Sequence, residues 1–212
     1  MKRASTELMK AERRSSILEG ARAYLAQRGF DEVRLVDLAA ELGLVKGTLY
    51  LYFPTKQELF LAILVEELEA WWAEAVAEAA REPVEKALGC SLARRELLLR
   101  LLPSLHMTIE PGLTEDGLAD FKRWFAGFAA KAASDIAGHY PAVAHEALPF
   151  LFGFYALALG SSQLAFPPER VKKLLLAEPA LEAFRLDFML FFPAAVERLY
   201  KGYAAGAGGE VP

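Results

Sequence analysis

Asparagine is absent from this 212-residue chain and glutamine occurs only as Gln27, Gln57 and Gln163, while glutamate, arginine, leucine and alanine abound. Fewer thermolabile amides with more charge is the bias of a thermophile. One cysteine, Cys90, excludes an internal disulfide and suits a reducing cytoplasm; a small packed side chain is expected there. The histidines, His106, His139 and His145, lack metal-ligand spacing, no G-x-S-x-G is present, and Gly43–Thr48 is too short for a phosphate-binding loop. No catalytic residue, metal or cofactor is therefore expected, and the chain does not read as an enzyme. A carboxylate pair assembled only by folding stays open. The opening run MKRASTELMKAERR has no apolar stretch, which excludes a secretory signal.

What is present is an apolar fraction of 54%, ample for a core, and a net charge of −4. Such a charge argues against nucleic acid until its distribution is considered. Residues 1–60 hold ten Lys or Arg against eight Asp or Glu, a net of +2, and residues 61–212 hold fourteen against twenty, a net of −6. A basic head on an acidic body has this asymmetry. Lys2, Arg3, Lys10, Arg13 and Arg14 precede the expected first helix and suit either an arm that tracks phosphates or a frayed, solubilising terminus.

The stretch Arg34–Leu59 organises the rest. Leu35, Leu38, Ala39 and Leu42 recur at i, i+3, i+4 and i+7, one apolar helix face, and Gly43 ends that helix in a left-handed turn. A second helix, Val45 to Phe53, turns Leu49 and Phe53 inward and Lys46, Gly47, Thr48, Tyr50 and Leu51 outward. Pro54 stops it, and Thr55-Lys56-Gln57-Glu58 is a capping box that opens a third, with Lys56 beside amides suited to a phosphate. Two short helices joined by a glycine turn form a helix-turn-helix pattern, although an ordinary three-helix packing unit has the same outline.

Leu38-Ala39, then Leu42-Gly43-Leu44, then Lys46-Gly47-Thr48-Leu49-Tyr50-Leu51-Tyr52-Phe53 and Lys56 together resemble the DNA-binding head of the TetR family of bacterial transcriptional regulators. The resemblance covers roughly residues 13–60. It implies a dimer whose recognition helices, Val45 to Phe53, enter successive major grooves of a palindromic operator. It also implies that Lys46, Gly47, Thr48 and Tyr50 touch bases or nearby phosphates while Tyr52 and Lys56 hold the backbone. Arg34, Val45, Leu51 and Thr55 complete the expected DNA-binding set. Two of these depart from the family pattern: Val45 stands where serine is usual and cannot cap, and Arg34 stands where threonine is usual.

Around this head the chain reads as helices throughout. The first runs from about Arg13 to Gln27, with Ile17, Leu18, Ala21, Tyr24 and Leu25 inward, Gly29 ending it and Phe30 tucked beneath. A long fourth helix, Thr55 to about Arg81, serves both head and body and carries Trp71 and Trp72. Pro83 opens a helix to about Leu102, and Pro103 and Pro111-Gly112 interrupt the segment after it. A helix from Thr114 to about Gly138 then carries Phe121, Trp124, Phe125 and Phe128 on one stripe. Trp71, Trp72, His106, Met107, Glu110, that stripe and Tyr155 are the candidates for contact with a small apolar or amphipathic effector.

Ala147 to Pro168 is uncharged, but its purely apolar part, Ala147–Gly160, is 14 residues, short of the roughly 20 that span a bilayer. A buried or interface helix is expected, not a membrane segment. The last helix is placed at about Glu178 to Tyr203, kinked at Pro193. Two helices this apolar imply a two-fold, four-helix dimer interface of Phe150, Gly153, Phe154, Leu157, Gly160, Phe184, Phe188, Phe191, Phe192, Ala195 and Leu199.

The expected fold is all-α: a three-helix head (1–54), a helical effector-binding and dimerisation body (55–203) joined through the long helix, and a disordered tail (204–212). The expected function is a cytoplasmic, ligand-released repressor that binds its operator as a homodimer. The competing reading is a helical binding or catalytic protein that keeps the head's pattern without reading DNA.

Overall fold

The first helix, α1 (Lys2–Ala26), begins eleven residues before Arg13, where the sequence placed it. Its opening residues are mostly good helix formers with no proline, so nothing local stops the helix. Lys2, Arg3, Lys10, Arg13 and Arg14 thus lie within α1, not on an arm ahead of it. The structure, a computed structural model, describes residues 2–26 and 32–206; the turn expected at Gly29 and Phe30 lies outside them. Every regular element among the described residues is helical.

Two compact units divide the chain, Met1–Glu67 with Ser104–Leu118, and Leu68–Pro103 with Ala119–Pro212. The division falls inside α4 (Lys56–Ala79), after Glu67 and not after residue 54 as the sequence suggested.

In the first unit, α1 is followed by α2 (Leu35–Glu41) and α3 (Lys46–Tyr52). Ile17, Leu18, Ala21, Tyr24 and Leu25 of α1 are buried, as are Leu35, Leu38, Ala39, Leu49, Phe53 and, from α4, Leu59, Phe60, Ile63 and Leu64. The apolar periodicity therefore has the core as its cause. Leu42 seats against α1 at Gly20, where an added Cβ would lie 2.2 Å from the leucine Cδ2. Arg22 joins α1 to α4 by an ion pair with Glu66 and a 2.8 Å bond from Nε to Glu67.

The second unit starts with the C-terminal half of α4. After Pro83 the chain makes a π-helical turn, Glu85–Cys90, then α5 (Ser91–Ala93), breaks at Arg94 and Arg95, and resumes as α6 (Glu96–Ser104). The single helix expected over this stretch is thus two. Pro103 lies in the last turn of α6, and from Leu105 the chain leaves α-helical geometry for a π turn. Ser104–Leu118, part of the first unit, carry a π turn (Leu105–Ile109) and a 3-10 turn (Glu110–Gly112) in the segment that Pro103 and Pro111-Gly112 were expected to interrupt. Next come α7 (Glu115–His139), a 3-10 turn (Pro141–Glu146) and α8 (Ala147–Ala165).

The expected last helix is also two elements. α9 (Glu169–Ala177) and a 3-10 turn (Pro179–Phe184) precede α10 (Phe188–Gly206). Pro179 forces Glu178 out of helical geometry (φ −114°, ψ 109°). Arg185 then donates to the carbonyls of Leu175, Leu176 and Glu178, closing the end of α9. Asp187 accepts the Leu190 amide at 3.2 Å, an N-cap that starts α10. Ala204–Gly206, assigned to the tail, belong to α10, and residues 207–212 are not described.

Helix α10 crosses the π turn closely. A Cβ on Gly89 would lie 2.9 Å from the Pro193 Cα, so only glycine fits. Pro141–Ala165, 25 residues long with an 18-residue stretch of mean hydropathy 1.5, is long and apolar enough to cross a membrane by length and composition. The helix runs past the purely apolar Ala147–Gly160 to Ala165, so its length alone does not separate a membrane span from a buried or interface helix. Phe150, Phe154 and Ala158 on α8 are buried, whereas Leu148, Phe152 and Leu164 are exposed.

Candidate nucleic-acid interface

The turn between α2 and α3 depends on one glycine. Gly43 has φ 63°, the left-handed region that a side chain disfavours. Its amide donates to Ala40 at 3.1 Å and the Leu44 amide to Ala39 at 2.8 Å, the paired bonds of a Schellman end. Val45 follows in extended geometry (φ −67°, ψ 136°) with no side-chain cap, as expected of an apolar residue there.

Leu49 and Phe53 anchor α3 in the core, and the remaining positions face outward or flank. Val45 and Leu51 are 77% and 76% exposed, large values for apolar side chains. Lys46, Gly47 and Tyr50 are exposed; Thr48 and Tyr52 are half-buried. The Lys46 ammonium lies over the Tyr50 ring, 5.4 Å from its centre, which orients both. Thr55 accepts the Glu58 amide at 3.2 Å, the expected cap, and Lys56 occupies the first turn of α4. Arg34 precedes α2 and pairs through two bonds, 2.7 and 3.0 Å, with Asp37, so its guanidinium already has a carboxylate partner.

The aromatic candidates of the second unit form one connected set. Trp71 stacks on Phe154 (5.8 Å, 7°) and meets Trp72 edge-on at 5.5 Å; Trp72 meets Phe128 at 5.9 Å. Phe128 stacks on Trp124 at 5.4 Å, Trp124 on Phe121 at 5.9 Å, and Phe125 contacts Tyr155 at 6.4 Å. Each indole N–H has an acceptor: Ser91 for Trp71 at 2.9 Å, Asp135 for Trp72 at 2.8 Å, Glu69 for Trp124 at 3.0 Å. Lys131 and Trp72 both bond Asp135; burial opposes its charge, but these partners hold its carboxyl below the usual aspartate value.

His106, Met107 and Glu110 belong to the first unit. His106 Nδ1 lies 3.3 Å from Glu110, and Met107 is exposed. Among the described residues no group of three or more His, Cys, Asp or Glu side chains is placed to hold a metal.

Of the expected dimer residues, Phe150, Phe154, Phe188 and Phe192 are buried within the chain. Phe154 meets Phe192, Phe188 stacks on Phe192 at 4.8 Å, and Phe150 meets Tyr200 and Tyr203. They serve the fold, since α8 and α10 pack on each other inside one chain. Gly153, Leu157, Ala195 and Leu199 are half-buried, Gly153 beside Leu199. Gly160, Phe184 and Phe191 are exposed; Phe184 lies in the 3-10 turn before α10. The apolar residues left open, Leu148, Phe152, Leu164, Met189 and Leu190, were not singled out in the sequence. Their signal was present: Leu148 and Phe152 are one turn apart, opposite the Phe150–Phe154 line.

A short helix, a left-handed glycine end and a second helix with an outward polar and apolar face define a helix-turn-helix protein. Residues 17–63 match the family model described as bacterial regulatory proteins, tetR family, and residues 60–207 match that of the tetracyclin repressor-like C-terminal domain. The chain belongs to the TetR family of bacterial regulators.

The HTH-type transcriptional repressor AcnR of Corynebacterium diphtheriae is 39% identical over 75 residues, 35% of this chain and 38% of that protein. The repressor KstR of Rhodococcus jostii is 32% identical over 75 residues, 35% of each. The regulator RutR of Escherichia coli K12 is 36% identical over 61 residues, 29% of each. The chain thus spans roughly a third of the length of these relatives. A crystal structure of a TetR-family regulator from Mesorhizobium loti covers 92% of this chain and 95% of its own, at 18% identity and a TM-score of 0.45.

Proposed function

We propose that the chain is a cytoplasmic, ligand-responsive repressor that binds a palindromic operator as a homodimer. The observation that carries this is the outward face of α3, Val45 to Tyr52, held behind the Gly43 turn with only Leu49 of α3 in the core. Lys46, Gly47, Thr48, Tyr50 and Leu51 enter the major groove; Tyr52, Thr55, Lys56 and Arg34 position the backbone, Arg34 by exchanging Asp37 for a phosphate. Lys56 acts with the amides at the start of α4, where the helix dipole favours an anion.

The dimer forms through the open apolar side of α8 with the start of α10, namely Leu148, Phe152, Gly160, Leu164 and Phe191, flanked by Leu157 and Ala195. Two such surfaces related by a two-fold axis place the recognition helices about 34–36 Å apart, one turn of duplex. The effector is apolar or amphipathic and meets the ring set around Trp72, Trp124, Phe125, Phe128 and Tyr155. A ligand that prefers the DNA-incompetent state by about 10²-fold supplies roughly 2.7 kcal/mol, enough to release the operator.

Selection from random-sequence duplexes tests the reading. Enrichment of a palindrome supports it; the absence of any enriched sequence at every salt concentration contradicts it.

A further inference from the structure

The recognition segment is unusual for a surface that reads bases. Val45–Tyr52, VKGTLYLY, has no arginine, asparagine, glutamine or carboxylate. The forked pairs that identify guanine and adenine in the major groove come mainly from Arg, Lys, Asn and Gln. Here only Lys46 is of that kind, and its ammonium lies over the Tyr50 ring. Base identity must come largely from other contacts.

The segment is well supplied with one of them. Among the described residues between 17 and 63 the exposed large apolar side chains are Val36, Val45, Tyr50 and Leu51, three of the four on this segment. Leu51 is about 200° around the helix from buried Leu49, so it points directly away from the core. Gly47 lies one turn earlier on the same side, and a Cβ there would meet nothing within 4 Å. Leu51 is therefore the first side chain that an incoming base-pair edge meets along this line. Val45 adds a second apolar group at the leading end of α3.

We propose that Leu51 and Val45 read the C5-methyl groups of thymines, the one apolar feature of the major groove. This rests on the operator reading above and adds its chemistry: each half-site carries thymine opposite Leu51 and opposite Val45. Cytosine and uracil lack the methyl group and are disfavoured there. One methyl moved from water into apolar contact is worth about fourfold in affinity, and a two-fold operator has it twice.

The test uses the full-length protein and its selected operator, with 2′-deoxyuridine replacing thymine at one position at a time, symmetrically in both half-sites. Base pairing and every hydrogen-bonding group are preserved, so only methyl contacts are lost. At one or two positions per half-site the wild-type protein should bind about sixteenfold more weakly, fourfold for each of the two methyl groups removed. Leu51→Ala, checked for unchanged melting, should bind the thymine and uracil forms alike at its position, and Val45→Ala at the other. The proposal is overturned if uracil is tolerated at every position while sequence-specific binding persists, or if Leu51→Ala and Val45→Ala both keep the full discrimination. Failure of selection to enrich any sequence would overturn the operator reading itself.

Discussion

Phe154 of α8 meets Phe192 of α10 edge to face, with ring centres 5.4 Å apart. Both rings are buried in one chain, so the contact that holds these two helices together is intramolecular. Replacing Phe192 with alanine should cost about 3–5 kcal/mol, the usual range for a core phenylalanine, seen as a lower urea midpoint with native-like helicity at zero denaturant.

Phe152, two residues earlier on α8, is exposed, and its substitution should behave differently. Phe152→Glu should leave the circular dichroism of the chain helical while weakening self-association at least tenfold in sedimentation equilibrium. A buried carboxylate facing its own symmetry mate has no compensating partner. An unchanged association constant would exclude this side of α8 from the dimer.

Gly47 sits in a seven-residue helix with nothing within 4 Å of an added Cβ, and its φ is not positive. The chain's own packing gives no reason for glycine, which weakens a helix interior by up to about 1 kcal/mol relative to alanine. Gly47→Ala should therefore raise the melting temperature while lowering operator affinity, because the bare backbone admits the duplex edge. Increased stability with unchanged affinity would remove Gly47 from the interface.

Lys56 and Thr48 should separate in salt titrations. Lys56→Ala should weaken all duplexes similarly and reduce the log–log salt slope by about 1 per chain; Thr48→Ala should change sequence preference and leave the slope alone.

Tyr140 donates to the Glu82 carbonyl at 3.1 Å, and burial, aided by Glu85, Tyr200 and Glu82, pushes its hydroxyl up to about 12. A free tyrosine ionises near 10. Since the folded value is raised, its stabilising contribution is complete below pH 10 and is lost as pH rises towards about 12. Unfolding free energy should fall across that window, and Tyr140→Phe should flatten the fall in pH-dependent denaturation.

The head was legible because short-range physics sets it. Leu35, Leu38, Ala39 and Leu42 have one period, Gly43 one conformation, and Thr55 one capping bond. The body was less so. The break at Arg94–Arg95 has no proline or glycine to announce it, and Gly89 is explained only by Pro193, about a hundred residues away. Apolar character marks both a core and an interface, so Phe150 and Phe154 could not be distinguished from Leu148 and Phe152 until α10 was seen to cover one side. Asp187, which starts α10, was a readable cap, hidden by the stronger aromatic stripe that runs across it.

The most direct measurement is a competition titration of the full chain with its selected palindrome and a scrambled duplex of the same composition, at several salt concentrations. The account predicts two chains per palindrome and a preference of about 10³-fold or more, retained as salt weakens both. Equal affinity for the two duplexes at every salt concentration would contradict it.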